Sequence, residues 1–211
     1  MPESKKQFVI FGNPVAHSKS PQMQNAGLKY INFDAEYKKH ELLDGHTIKE
    51  VFLKNNYLGA NITVPHKELA YENADEVRGI AKDIKAVNTY INENGKIIAY
   101  NTDAPGFLKA IESFGEVKNV LLLGAGGTAK ALALALQSKN IEVTVLNRSE
   151  GKLEFFKKHN IKCTTWDTFQ VQNFDLIVNS TSAGLKDEEL PCPKEILDTV
   201  LKNASYAFDC V

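Results

Sequence analysis

Hydrophobic positions in this chain fall into short runs that alternate between strand and helix spacing from one end to the other. Phe8-Val9-Ile10-Phe11 is an unbroken apolar run that stops at Gly12-Asn13-Pro14, which predicts a short strand buried on both faces. Ser20-Pro21 marks a helix start, with serine as the cap and proline at the first helical position. Glu36 to Leu42 reads as a second strand, and Ile48, Val51, Phe52 and Leu53 follow at helical spacing. Leu58 to Thr63 is a third strand, ended by Pro65. After a charged helical stretch come Val87 to Ile91 and Ile97 to Tyr100, separated by Glu93-Asn94-Gly95-Lys96. Asn and Gly tolerate positive φ, so these two runs predict a hairpin.

In the second half the pattern is cleaner. Val120 to Leu123 is a strand, Gly124 to Gly127 a turn, and Thr128 to Gln137 a helix rich in alanine and leucine. Val143 to Leu146 and Asp175 to Val178 are further strands, and Tyr206 to Val211 is the last. A helix near Pro105 to Phe114 joins the halves. Such alternation predicts an α/β protein whose parallel sheet is covered on both faces. A chain that stops inside a strand leaves an edge open, and truncation at the C-terminal end is the expectation.

Composition narrows the function classes. The 211 residues suffice for one large domain or two small ones, and 43% hydrophobic with 24% charged residues is ordinary for a globular protein. A net charge of −1, with lysines and glutamates interspersed, gives no electrostatic reason to expect nucleic acid or an anionic membrane as partner. Cys163, Cys192 and Cys210 are odd in number, far apart and without a C-x-x-C pair, which predicts a reduced, cytoplasmic protein. The histidines have no zinc-site spacing, and no apolar run reaches membrane-spanning length.

Candidate chemistry in the second half centres on VLLLGAGG, Val120 to Gly127. A strand leads into a glycine turn and then a helix, so backbone can approach a pyrophosphate where the helix N-terminus offers unpaired N–H groups. Ala129 takes the place of the third glycine of G-x-G-x-x-G/A. After the second strand stands Asn147-Arg148-Ser149, with Lys152 nearby, where an NAD-binding chain usually has a carboxylate for the ribose hydroxyls. Guanidinium, hydroxyl and ammonium donors suit a 2′-phosphate instead, which predicts NADP. NSTSAGL, Asn179 to Leu185, puts small residues at another strand end, where a flat cofactor could lie or a turn could simply cap a helix.

Three polar clusters sit at strand ends in the first half: GNPVAHSKSP with Ser18 and Ser20, NITVPHK with Asn61, Thr63 and Lys67, and Asn88-Thr89 with Asn101-Thr102-Asp103. Hydroxyls, amides, one amine and one carboxylate would line a site for a small polyhydroxylated acid, although Asn and Thr at strand ends also form ordinary turns.

Taken together, GNPVAHSKSP, NITVPHK, AVNT, NTDAPGF, GAGGTAKA, NRS and NSTSAGL resemble, in order, the motifs of the shikimate dehydrogenase family. The resemblance implies NADPH-dependent, reversible reduction of 3-dehydroshikimate to shikimate, on the route to the aromatic amino acids. It implies an N-terminal α/β substrate domain at 1–103 and a Rossmann-type, doubly wound NADP-binding domain at 104–211, with the active site in the cleft between them. By the same resemblance, Lys67 and Asp103 would be the catalytic pair. Ser18 and Ser20 would hold the substrate carboxylate, and Asn61, Thr63, Asn88 and Asp103 its ring hydroxyls. Gly124, Ala125, Gly126, Gly127, Asn147, Arg148, Ser149 and Lys152 would bind NADP, and Thr181 and Ser182 would line its path.

The family continues past Val211 with a tyrosine, a glycine, a substrate-binding glutamine and return helices, so both domains are expected to lack C-terminal parts. Gln24 stands where the family usually has histidine after Ser-Pro. The partner is expected to be a small molecule, with neither nucleic acid nor membrane, and the protein a monomer or homodimer. The alternatives are a quinate or dual shikimate/quinate dehydrogenase using NAD, which Asn147-Arg148 disfavours, and a ligand-binding fragment made inactive by truncation. A folate-type dehydrogenase of similar plan fits NITVPHK and NTD poorly.

Overall fold

The computed structural model describes residues 5–184 and 188–210; Leu185, which ends NSTSAGL, and the terminal Val211 lie outside the described residues. The chain divides into two compact units, Met1–Thr102 and Asp103–Val211.

The first unit is built on six strands: β1 (Lys6–Gly12), β2 (Ala35–Glu41), β3 (Tyr57–Ile62), β4 (Glu76–Val77), β5 (Thr89–Glu93) and β6 (Lys96–Tyr100). Their order is β2-β1-β3-β5-β6-β4. β1 runs parallel to β2 and β3, while β5 is antiparallel to both β3 and β6. The parallel pairing expected from the alternation of elements holds for β1, β2 and β3, and the hairpin expected at Asn94-Gly95 supplies the antiparallel part. The β5–β6 connection is the two-residue turn Asn94 (φ 55) and Gly95 (φ 84), which can only return the chain antiparallel.

Four helices accompany this sheet: α1 (Ser20–Tyr30), α2 (Ile48–Lys54), α3 (Lys67–Asn73) and α4 (Ala81–Ile84). The cap expected at Ser20 is corrected. Lys19 is the N-cap of α1 and its side chain makes no capping bond. Ser20 is already helical, and its N–H is taken by Ser18 Oγ at 3.2 Å.

Alternation along the strands sorts the core. Val9, Phe11, Ile62, Tyr90 and Ala99 pack on one face with Ile48 and Phe52 of α2 and Ala70 of α3. Ile10, Tyr37 and Phe8 occupy the opposite face with Val15 and Leu28, a smaller cluster against α1, which has no fully buried residue.

In the second unit β7 (Asn119–Leu123), β8 (Glu142–Asn147), β9 (Lys162–Thr165), β10 (Leu176–Asn179) and β11 (Tyr206–Asp209) form a wholly parallel sheet in the order β11-β10-β7-β8-β9. The helices are α5 (Asp103–Ile111), α6 (Gly127–Gln137), α7 (Glu154–Lys158) and α8 (Lys194–Asn203). Val120, Leu122, Val145 and Val178 face Phe107 of α5 and Leu132 and Leu136 of α6. Leu121, Leu123, Leu146 and Ile177 face the other way, toward Val200 of α8. Each fully buried leucine contributes about 2 kcal/mol, so covering both faces is what makes these uniformly apolar runs favourable. β9 was not foreseen because Lys162-Cys163-Thr164-Thr165 is a half-buried edge strand with no apolar run. Among the described residues no helix is long and apolar enough to cross a membrane.

Candidate active site

In the first unit, backbone bonds draw the polar loops together. Asn13 N–H donates to the Val64 carbonyl at 3.1 Å and Thr63 N–H to the Phe11 carbonyl at 2.9 Å, joining the turn after β1 to the turn after β3. Gly12 permits that approach: a Cβ there would lie 2.5 Å from Thr63 Cγ2. Ser18 and Ser20, both half-buried, leave the first of these turns. Ser18 Oγ donates to Ser20 Oγ at 3.1 Å, so the Ser20 proton is left to point elsewhere, as a carboxylate would require.

Asn61 is the second-last residue of β3, and half-buried Thr63 follows just beyond the strand rather than within it. Lys67 is the first residue of α3, half-buried, with its carbonyl accepting from Val87 N–H at 2.9 Å. Next in sequence, Asn88 is 8% exposed, and its Oδ1 accepts from Thr102 N–H at 2.9 Å and from Thr89 Oγ1 at 2.9 Å. Asn61 lies directly opposite Thr89 across the β3–β5 pair, and Asn61 Nδ2 donates to Thr89 Oγ1 at 3.4 Å. Tyr37, which no motif contains, donates from its hydroxyl to Asn61 Oδ1 at 2.7 Å. Burial pushes the Tyr37 phenol well above its ordinary pKa, so it stays protonated. Asp103 opens α5 in the second unit, half-buried in the first helical turn, where a carboxylate is favoured by the helix dipole.

The second unit holds a cavity of about 330 Å³ at the ends of β7, β8 and β10. Gly124, Ala125 and Gly126 line it, as do Asn147, Arg148, Lys152, Thr181 and Ser182. Gly127 and Ser149 lie outside the lining. Gly127 is already within α6, and the Ser149 carbonyl is held by Asn147 Nδ2 at 2.8 Å.

The glycines have distinct reasons. Gly124 has φ +101, and a Cβ there would stand 2.9 Å from Thr181 Cγ2; at Gly126 and Gly127 a Cβ would meet open space. A bulky anion can therefore reach the N-terminus of α6, an eleven-residue helix, without displacing a side chain.

Thr181 and Ser182 follow from a braced loop. Asn179 Oδ1 accepts from Thr181 N–H at 3.0 Å and from Thr181 Oγ1 at 2.7 Å, and Ser180 Oγ donates to the Leu123 carbonyl at 2.6 Å. Among the described residues no ion pair holds Arg148 or Lys152. The nearest carboxylate in sequence, Glu150, is paired with Lys157 at 2.9 Å, which keeps its pKa below the usual range. Glu189 also lines the cavity, with a charge of the sign opposite to what a phosphate prefers.

Trp166, the single tryptophan, lines the same cavity just after β9, and among the described residues its buried Nε1 has no hydrogen-bond partner. Sequence reading missed it because β9 itself was not foreseen. Tyr37 was missed because its role depends on a neighbour two strands away. Among the described residues no group of three or more His, Cys, Asp or Glu is arranged to hold a metal ion.

Comparison with known proteins matches residues 10–90 to the shikimate dehydrogenase substrate binding domain and residues 108–187 to shikimate/quinate 5-dehydrogenase. A shikimate dehydrogenase (NADP(+)) of Helicobacter hepaticus is 41% identical over 206 residues, covering 97% of this chain and 76% of that protein. The corresponding protein of Pyrococcus abyssi is 36% identical over 198 residues, covering 91% of this chain and 74% of its own length. The crystal structure of shikimate 5-dehydrogenase from Thermus thermophilus in complex with NADP(H) and shikimate superposes with a TM-score of 0.83 at 32% identity, covering 97% of this chain and 78% of that one.

Proposed function

Because this chain belongs to the shikimate dehydrogenase family, we propose that it catalyses the NADP-dependent interconversion of 3-dehydroshikimate and shikimate, a step of aromatic amino-acid biosynthesis. The first unit is the substrate-binding domain and the second the NADP-binding domain. One observation carries the reading: the glycine turn of β7 opens into the same cavity as Arg148 and Lys152, with Glu150 turned to Lys157.

NADP fits the residues present. The open space over Gly126 and Gly127 suits the pyrophosphate at the α6 N-terminus. Arg148 and Lys152, with Ser149 beside them, suit the 2′-phosphate, and Asn147, Thr181 and Ser182 line the remaining path. When bound, the coenzyme supplies or accepts the hydride at the substrate's carbinol carbon. Lys67 then holds the proton that the substrate oxygen gains in reduction, and takes it back in oxidation. Its charged form also stabilises negative charge growing on that oxygen. Asp103 is the second member of the catalytic pair. Ser18 and Ser20 receive the substrate carboxylate, and Asn61, Thr63 and Asn88 its ring oxygens.

A cytoplasmic place is supported by the odd number and wide spacing of the three cysteines in the sequence. The near-neutral net charge supports a small-molecule partner rather than nucleic acid or an anionic membrane.

The deciding experiment follows NADP⁺ reduction at 340 nm with shikimate, beside NAD⁺ and quinate as competitors. Turnover with shikimate and a marked preference for NADP⁺ is the expected result. Preference for NAD⁺ or for quinate would overturn the assignment, as would the absence of both turnover and binding.

A further inference from the structure

Hydrogen-bond polarity in the first unit can be traced outward from one backbone group. The Thr102 N–H can only donate, so the side of Asn88 that faces it, at 2.9 Å, must be Oδ1. The Thr89 hydroxyl donates to that same oxygen at 2.9 Å, and its proton is thereby committed. Toward β3, Thr89 Oγ1 is left as an acceptor, and the group facing it at 3.4 Å is Asn61 Nδ2. The Asn61 amide is then turned with Oδ1 toward β2, where the Tyr37 hydroxyl donates to it at 2.7 Å. From Tyr37 through Asn61 and Thr89 to Asn88 each bond runs in one direction, and Thr102 N–H meets the row from the other side at Asn88 Oδ1.

The Tyr37 end of the row is held firmly. Tyr37 is paired with Phe8 of β1, and Asn61 with Ile10 of β1, so the phenol crosses an entire strand to reach the amide. The whole residue is 6% exposed. Strand β2 is at the edge of the sheet, yet the Tyr37 N–H and carbonyl are both taken by the side-chain amide of Asn25 from α1, each at 2.9 Å. The polar atoms of Asn61 are thus engaged by Tyr37 on one side and Thr89 on the other. Among the described residues nothing takes its second N–H.

We propose that Tyr37 is a positioning residue that fixes Asn61 as a hydrogen-bond donor to a ring oxygen of the substrate. This rests on the reading that the first unit binds shikimate. A hydroxyl or ketone oxygen can accept that N–H. Turning the amide over would face Thr89 with an oxygen against an oxygen, and the Tyr37 hydroxyl anchors Oδ1 on the other side. Removing the phenol hydroxyl leaves Oδ1 without its donor, so the amide is held at the Thr89 end only.

The test compares Tyr37→Phe, Asn61→Ala and the double variant in the full chain. Tyr37→Phe is expected to raise KM for shikimate roughly tenfold, the size of one lost oriented hydrogen bond. It should leave kcat within about twofold and KM for NADP⁺ unchanged. Adding Tyr37→Phe to Asn61→Ala should cost nothing further, because the group it orients is gone. An equal KM rise in the Asn61→Ala background would show a merely structural role and overturn the proposal, as would no rise at all.

Should Tyr37→Phe not fold, Thr89→Val cuts the other end of the row and is held to the same KM pattern and non-additivity. The side-chain ¹⁵N–¹H signals of Asn61, identified by their loss in Asn61→Ala, are expected to move in Tyr37→Phe, and unmoved signals would overturn the orientation. A wild-type protein that neither binds nor oxidises shikimate would instead sink the functional reading, and the ligand named here with it.

Discussion

The imidazole of His66 donates through Nε2 to the Leu42 carbonyl at 2.7 Å, a buried bond that ties the residue before Lys67 to the segment leaving β2. A carbonyl only accepts, so the proton is on Nε2. Among the described residues the other ring nitrogen has no hydrogen-bond partner, and it faces Gly45, where a Cβ would lie 2.6 Å away. α3 therefore begins from a ring fixed on both sides. His66→Ala should leave the Leu42 carbonyl unpaired and lower stability by about 1–3 kcal/mol, read as a melting temperature several degrees lower. A melting curve identical to wild type would show that the bond carries no weight. Gly45→Ala should destabilise too, because the ring it meets cannot retreat without breaking that bond.

Lys67→Met tests the proton-transfer role proposed for Lys67. Loss of a positioned acid–base group costs roughly 10²- to 10⁴-fold in kcat, while binding of NADP⁺ should be unaffected. A variant that oxidises shikimate at a rate close to wild type would count against Lys67.

Arg148→Ala addresses coenzyme choice. Removing one charged donor to a phosphate should raise KM for NADP⁺ roughly tenfold while leaving KM for NAD⁺ nearly unchanged. Equal effects on the two coenzymes would mean that Arg148 contacts something other than the 2′-phosphate.

The single tryptophan gives a direct optical reading, because Trp166 lines the cavity that holds Arg148. Titration with NADP⁺ should change its emission, and 2′,5′-ADP, the phosphorylated nucleoside end alone, should reproduce most of that change. Emission indifferent to both would place the coenzyme elsewhere.

Acid sensitivity should run through Asp75. Its Oδ2 accepts from Ile97 N–H at 2.9 Å, and its other oxygen pairs with Lys49, so the carboxyl is held below its ordinary pKa, first by the backbone bond. A depressed folded value means that the unfolded chain takes up the proton first as pH falls. The stabilisation is full above about pH 4, the unfolded carboxyl value, and is lost as pH drops through the folded one. Asp75→Asn should therefore flatten the fall in melting temperature between pH 5 and 3; an unchanged slope would assign the acid limb to other groups.

Much of the fold was legible as a sequence. The runs at Val120–Leu123 and Val143–Leu146, the glycine turn and the Asn94-Gly95 hairpin all rest on local periods and local φ preferences. Those forces act within a few residues, so strand, turn and helix could be read in place. Where local signals were weak, reading stopped. Glu76–Val77 is a two-residue strand and Lys162–Thr165 an edge strand without an apolar run, and each is held chiefly by pairing with β6 or β8. The mixed direction of the first sheet followed from the hairpin, whose consequence for the neighbouring β3 is a matter of register.

The candidate site divides in the same way. Ser18, Ser20, Asn61, Lys67, Asn88 and Arg148 stand as candidates because the short motifs that hold them resemble those of the family. What the sequence by itself determined is thus the kind of chemistry, the order of the elements and the family. Only the tertiary structure decided how the groups are oriented. Tyr37 and Asn61 are 24 residues apart, as are Leu42 and His66, and both pairs meet through sheet register and helix placement. Hydrogen bonds of this kind depend on ångström-scale positions set by the packed core, and no local pattern of residues encodes them.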